Sequence, residues 1–161
     1  MRNELAADAV RAALELRLPP AFKSMISGPD DGPSGGGTTK RLRIFIVEDH
    51  ADTARGLAMY LRANGHEVHV ALDVRSARQL ATEIDYDIFL SDIGLPDGNG
   101  WDLLEELSAR RPITAIAMSG YNTEADRERS KAAGFIEHLP KPLTPDELDA
   151  AFARAIGDDA A

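Results

Sequence analysis

From Arg41 onward the sequence alternates short apolar runs with segments of helical periodicity, and this alternation constrains the fold more than any other feature. The strand-like runs are Leu42–Val47, Glu67–Leu72 (which alternates more than the first), Ile88–Leu90, Ile113–Met118 and Phe135–Leu139. Between and after them come helical stripes: Ala54, Leu57, Ala58 and Leu61; Val74, Ala77, Leu80, Ala81 and Ile84; Leu103, Leu104 and Leu107; the polar stretch Thr123–Ala133; and Leu148, Phe152 and Ile156. Asn64-Gly65, Pro112 and Gly134 mark ends of helices, while Thr144-Pro145-Asp146-Glu147 opens the last one with an N-cap, a first-turn proline and two acids. Five β–α units predict a parallel sheet with helices on both faces and right-handed crossovers. In such open sheets ligands lie beyond the carboxyl ends of the strands, where the strand order reverses.

Upstream of this body, residues 3–18 carry helical spacing (Leu5, Ala9, Ala12, Leu16; Val10, Leu14, Leu18) that Pro19-Pro20 stops. Residues 1–27 are read as a helical extension, 28–40 as a flexible Gly/Pro/Ser-rich linker, 41–157 as the domain and 158–161 as a tail. The apolar face of the extension has three places to go: the body, a partner, or a second copy in a homodimer. Residues 1–40 carry no net charge, so the whole formal charge of −9 belongs to the body. An acidic body argues against a surface that tracks nucleic-acid phosphates, and no direct DNA binding is expected. Without cysteine there is no disulfide, thiol nucleophile or thiolate metal site. No apolar run is long enough to cross a membrane and the start lacks a signal-peptide pattern, so the cytoplasm is the expected location.

The residues just past the buried strands carry the chemistry. They are Glu48 and Asp49 after the first, Asp92 after the third, Ser119 and Gly120 after the fourth, and Lys141-Pro142 after the fifth. Carboxylates gathered at one sheet edge repel, so the site must hold a cation or raise a pKa. Oxygen donors without His or Cys favour Mg2+, which keeps waters and recruits phosphate oxygens; a single lysine opposite suits a phosphoryl group. The spacing points to a Mg2+-assisted phosphoryl site.

Three segments carry a resemblance: Ile44-Phe45-Ile46-Val47-Glu48-Asp49-His50; Asp87-Ile88-Phe89-Leu90-Ser91-Asp92-Ile93-Gly94-Leu95-Pro96-Asp97-Gly98-Asn99-Gly100; and Leu139-Pro140-Lys141-Pro142-Leu143. The chain resembles the response-regulator receiver family (CheY-like domains) over about residues 41–157. The resemblance implies a flavodoxin-like strand order, 2-1-3-4-5. It implies Asp92 as phospho-acceptor from a histidine kinase or a histidine phosphotransfer protein, with Lys141 and Ser119 on the phosphoryl group. Mg2+ would be held by Asp49, Asp92, Glu48 through water, and the backbone carbonyl of Gly94. Ser119 and His138 would form the switch, Gly94 and Tyr121 would set access of water, and Lys141-Pro142 would be cis. The chain is then a phosphorylated signalling protein rather than an enzyme, catalysing only its own phosphorylation and dephosphorylation, with output through a downstream protein partner or onward phosphotransfer.

Two positions depart from the commonest pattern. Glu48 stands where many relatives have Asp, and His138 where the switch residue is usually aromatic, which makes a pH-sensitive switch an expectation. The wording around Asp92 is similar to receivers of hybrid histidine kinases, so a receiver derived from or cut from such a kinase is the alternative. An unphosphorylated interaction module on the same fold is a third reading, disfavoured by the complete set of site residues, and a flavin carrier is a fourth, disfavoured by the acids. Taken singly, Asp97 and Asp102 read as turn or capping residues, Asp52 as the cap of the first helix, and Gly98 and Gly100 as turn-formers. His66 and His69 read as residues on the surface of strand two or at its rim, Trp101 as packing, and the Arg127-Glu128-Arg129-Lys131 run as a solvated helix face.

Overall fold

The structure is a computed structural model that describes residues 41–120 and 123–156. The expected N-terminal extension, linker and tail, and Tyr121, lie outside the described residues. In chain order the elements are β1 (Arg43–Val47), α1 (Ala51–Ala63), β2 (Glu67–Ala71), α2 (Val74–Ala81), β3 (Ile88–Asp92), the short β4 (Gly94–Leu95) and β5 (Gly98–Asn99), α3 (Gly100–Ser108), β6 (Ala115–Ser119), α4 (Glu124–Ala133), β7 (Glu137–Pro140) and α5 (Pro145–Ala155). The long strands form one parallel sheet in the order β2-β1-β3-β6-β7, and β4 pairs antiparallel with β5 in a separate hairpin. Counting the long strands alone, this is the order 2-1-3-4-5 of a doubly wound, flavodoxin-like α/β fold.

The central strands are buried on both faces, which is why β1, β3 and β6 read as near-continuous apolar runs. Their alternating side chains feed two cores. Ile44, Ile46, Ile88, Leu90, Ile116 and Met118 pack with Leu57 and Leu61 of α1 and Leu148 and Phe152 of α5. On the opposite face Phe45, Val47, Phe89 and Ala117 pack with Ala77 of α2 and Leu103 and Leu104 of α3. Each fully buried side chain of this size contributes on the order of 1.5–3 kcal/mol, so the sheet centre is the most resistant part of the fold. Register then sets the site: Val47 stands beside Ser91, Asp92 beside Met118, and Ser119 beside Pro140. The residues that follow these positions therefore meet along one carboxyl edge.

Several local expectations change. The first helix is capped by His50, whose Nδ1 accepts from the Thr53 backbone N–H at 3.3 Å; Asp52 sits in the first turn, where an acid suits the helix dipole. The fourth long strand starts at Ala115 rather than Ile113, and the second helix ends at Ala81 with Ile84 in the following turn. Ile156 lies past the end of α5 and is exposed, while Ala151 fills the core in its place. The Thr144 cap forms as expected, closing a reciprocal capping box with Glu147, and Thr123 does the same with Asp126. Gly134 ends α4 at φ 116°, a left-handed conformation that favours glycine.

His66 stands at the rim, one residue before β2, but faces inward. It is buried, its Nδ1 accepts from the Leu42 backbone N–H at 3.1 Å, and its ring meets the edge of Phe152. Burial pushes its pKa below the ordinary 6.5, with Asp149 pulling weakly the other way. The unfolded chain therefore takes up this proton at higher pH than the folded one, and stability is lost as pH falls below 6.5. Denaturant midpoints measured at about pH 7.5 and about pH 5.5 should show this loss, and His66→Asn, which keeps an acceptor without titrating, should remove His66's share of it. An unchanged slope in the variant would contradict the assignment.

Candidate functional site

Four segments reach the carboxyl edge of the sheet and build one acidic pocket. Glu48 follows β1 and its side chain is fully buried, at 0% exposure. Asp49 beside it is exposed, and Asp92 closes β3 with 7% exposure. One carboxylate oxygen from each of these three lies within 4.8 Å of the others. The Lys141 ammonium enters from the loop after β7 and donates to Glu48 Oε1 at 2.6 Å and to Asp92 Oδ2 at 2.9 Å. The second Glu48 oxygen accepts from the His50 backbone N–H at 3.0 Å.

The electrostatics follow from burial and crowding. Burial pushes the Glu48 carboxyl up, and the nearby Asp92 charge pushes the same way, against the Lys141 hydrogen bond. For Lys141 burial alone would favour the neutral amine, but its bonds to Glu48 and Asp92 outweigh that and hold it above the ordinary lysine value. The ammonium offsets part of the negative charge that the three acids gather. Lys141 is itself positioned by its backbone N–H, which donates to the Ser119 carbonyl at 2.8 Å; the Lys141-Pro142 bond is cis, as expected.

Glu48, Asp49, Asp92, Ser119 and Lys141, singled out from sequence, thus come together at one edge, with Ser119 buried at the end of β6. Gly94, expected to offer its carbonyl, lies on the β4–β5 hairpin just past Asp92; a Cβ there would meet nothing within 4 Å. His138 is on β7, on the side of the sheet covered by α4, where its Nδ1 lies 2.8 Å from the Ser130 Oγ. The same Ser130 oxygen accepts from Trp101 Nε1 at 2.9 Å, so Trp101 is a hydrogen-bonded link between α3 and α4 as well as packing, with Arg129 over its ring.

Two residues had more to do than their sequence context suggested. Gly100 is more than a turn-former: it opens α3 directly on the Asp92 peptide, and a Cβ there would stand 2.5 Å from the Asp92 carbonyl oxygen. Its N–H donates to the Ile93 carbonyl at 2.8 Å, tying the start of α3 to the end of β3. Asp97 does cap a helix, but that helix is α2 rather than its own neighbour. Its two carboxylate oxygens accept from the Val74 and Arg75 backbone N–H groups at 2.8 and 3.0 Å. Asn99 caps α3 instead, accepting from the Asp102 N–H.

The donor set fits a hard divalent cation: three carboxylates, one of them exposed, with no nitrogen or sulfur donor among them. Among the described residues no helix is long and apolar enough to cross a membrane.

Comparison with known proteins bears on the fold and the family. In solved structures, the chain matches a CheY-like response regulator receiver domain protein from Methanospirillum hungatei with TM-score 0.69 and 27% identity, over 75% of this chain and 98% of that one. It also matches the fold of the response regulator TrrA from Thermotoga maritima, solved with Mg(2+)-BeF, with TM-score 0.63 and 23% identity, over 70% of this chain and 97% of that one. Among curated proteins it is 32% identical over 114 residues to an uncharacterized 14.6 kDa protein of Leptolyngbya boryana, covering 69% of this chain and 87% of that protein. It is 31% identical over 105 residues to the aerobic respiration control protein ArcA of Escherichia coli K12, covering 65% of this chain but only 44% of ArcA. The family pattern described as the response regulator receiver domain matches residues 44–153, a span that runs from β1 into α5 and holds the acidic pocket whole, and the chain belongs to that family.

Proposed function

We propose that the chain is a phospho-acceptor in two-component phosphorelay signalling, working as a single-domain response regulator with Asp92 as the acceptor. One observation carries this reading. Lys141 bridges Glu48 and Asp92, two of three converging carboxylates, at 2.6 and 2.9 Å. A lysine so placed on a nearly buried aspartate at the end of a central strand stands where a phosphoryl group on that aspartate needs a counter-charge.

In this reading an Asp92 carboxylate oxygen attacks the phosphorus of a phospho-histidine, the P–N bond breaks, and the imidazole leaves as it takes up a proton. The donor is a histidine kinase or a histidine phosphotransfer protein. Lys141 gives up its bond to Asp92 Oδ2 and pairs with the transferred group, while the Ser119 hydroxyl donates to one of its oxygens. Asp49 and Asp92 would hold Mg2+ directly, Glu48 through water, with the Gly94 carbonyl completing the protein's share; when bound, the ion neutralises charge on the phosphoryl oxygens. Support comes from the acidic cluster itself and from the fold shared with TrrA, whose structure holds Mg(2+)-BeF. The phosphoryl group would then be lost to water or passed onward by phosphotransfer.

Phosphorylation would shift the face around Ser119 and His138 between two arrangements read by a downstream protein partner. His138 has a bond to give up in that shift, the one to Ser130. Phosphorylation by a small phosphodonor tests the reading: the wild-type chain should gain one phosphoryl group and Asp92→Asn none.

A further inference from the structure

In the proposed cation site the Gly94 carbonyl is a ligand, yet Gly94 is exposed and its own position offers no packing contact for a side chain. What holds the hairpin lies on its far side. Asp97 reaches 23 residues back to α2 and accepts from the Val74 N–H at 2.8 Å. Its other oxygen accepts from the Arg75 N–H at 3.0 Å. These are orphan donors at a helix start, and a carboxylate there is favoured by both hydrogen bonding and the helix dipole.

The contact is close-fitting. A Cβ on Gly98 would stand 3.0 Å from Val74 Cγ2, and Leu95 and Val74 share the same core. Asp73, the N-cap that belongs to α2, is already engaged with the Ser76 N–H at 2.7 Å, so Asp97 satisfies donors that the helix's own cap leaves over. On its other side the hairpin runs into α3, fixed by the Gly100 N–H on the Ile93 carbonyl. Gly94 is thus carried on a segment clamped at both ends, one clamp made by backbone and the other by the Asp97 side chain.

We infer that Asp97 is a positioning residue for the cation site: by capping α2 from outside, it fixes the β4–β5 hairpin and with it the Gly94 carbonyl. The inference rests on the proposed function only in taking that carbonyl as a Mg2+ ligand. Partners that orient the ligands of a metal typically change its affinity by about tenfold or more when removed, and about tenfold is the expectation here.

The experiment titrates the full chain with Mg2+ alone, read by Trp101 fluorescence, and measures unfolding midpoints without Mg2+. Asp97→Ala should weaken Mg2+ binding about tenfold, and Asp97→Asn, which keeps one acceptor, should lie between it and wild type. Asp73→Ala removes the helix's own cap and serves as the stability control: it should lower the unfolding midpoint and leave Mg2+ binding unchanged. Hydrogen exchange of the Val74 and Arg75 amides should quicken in Asp97→Ala, confirming that the cap is the thing lost. Should Asp97→Ala not fold, the Asn variant alone decides. Wild-type affinity in whichever Asp97 variant folds, or an equal loss in Asp73→Ala, would overturn the inference while leaving the acidic pocket's role intact. No Mg2+ response in the wild-type chain itself would overturn both.

Discussion

Lys141→Met should destabilise the protein by about 3 kcal/mol, and the loss should grow with pH. Removing one member of a buried ion pair strands the other, at a cost of about 3–5 kcal/mol. Here the stranded group is Glu48, with 0% side-chain exposure, while the Lys141 side chain is 26% exposed, which places the cost at the lower end. The pH dependence follows from the same geometry. Burial already holds the Glu48 carboxyl above the ordinary 4.5, and Lys141 is the chief influence in the opposite direction. Without it the folded variant keeps a proton that the unfolded chain releases above 4.5, so stability is lost as pH rises. Urea midpoints of wild type and variant should diverge between about pH 5 and about pH 8. A constant gap, or one below about 1 kcal/mol, would mean that the ammonium does not compensate Glu48 as the 2.6 Å contact implies.

Gly100→Ala should be the second severe change, for a steric reason. In an exposed helix the exchange would gain about 1 kcal/mol from helix propensity. At Gly100 the new Cβ would be driven to 2.5 Å from the Asp92 carbonyl oxygen and 3.1 Å from the Ser91 Oγ. Overpacking against backbone costs about 1–3 kcal/mol and occasionally more, and the clash here is with a central strand that cannot yield. The expected net loss is about 2 kcal/mol. Relief must come from moving either α3 or the Asp92 peptide, so phosphorylation should slow by about 10- to 100-fold as the acceptor shifts. Gly94→Ala is the contrast: nothing stands within 4 Å of its Cβ, and stability should stay within about 0.5 kcal/mol of wild type. If both glycines behave alike in thermal unfolding and in phosphorylation rate, the close approach of α3 to Asp92 is not as described.

Much of this architecture was legible in the sequence because it is written in local pattern. The sheet centre is apolar on both faces, so β1 and β3 read as unbroken runs, and the Thr144-Pro145 start of α5 carries its own capping chemistry. The pocket was legible for a related reason: in a parallel sheet the residue after each strand arrives at the same edge, so Glu48, Asp92, Ser119 and Lys141 could be gathered by counting. What escaped were contacts made across the chain. The strands β4 and β5 have two residues each, too few to show a period. Asp97 looked local, but its partners are the Val74 and Arg75 amides on another helix. His66 looked like a surface or rim residue after Asn64-Gly65, until the Leu42 N–H turned out to supply a donor for a buried ring. His50 displaced Asp52 as the cap of α1 because an imidazole nitrogen can accept as a carboxylate does, a role that composition does not advertise.

The central claim is that Asp92 accepts a phosphoryl group in a pocket completed by Mg2+, and intact mass after incubation with Mg2+ and acetyl phosphate tests it most directly. The account predicts one added phosphoryl group on the wild-type chain, none on Asp92→Asn, and none when EDTA removes the ion. To catch a group lost quickly to water, the same samples would be given beryllofluoride, with Trp101 fluorescence as the readout and a Mg2+-dependent change expected in wild type alone. A phosphoryl group retained by Asp92→Asn, or no mass gain together with no beryllofluoride response in the wild-type chain, would contradict the account.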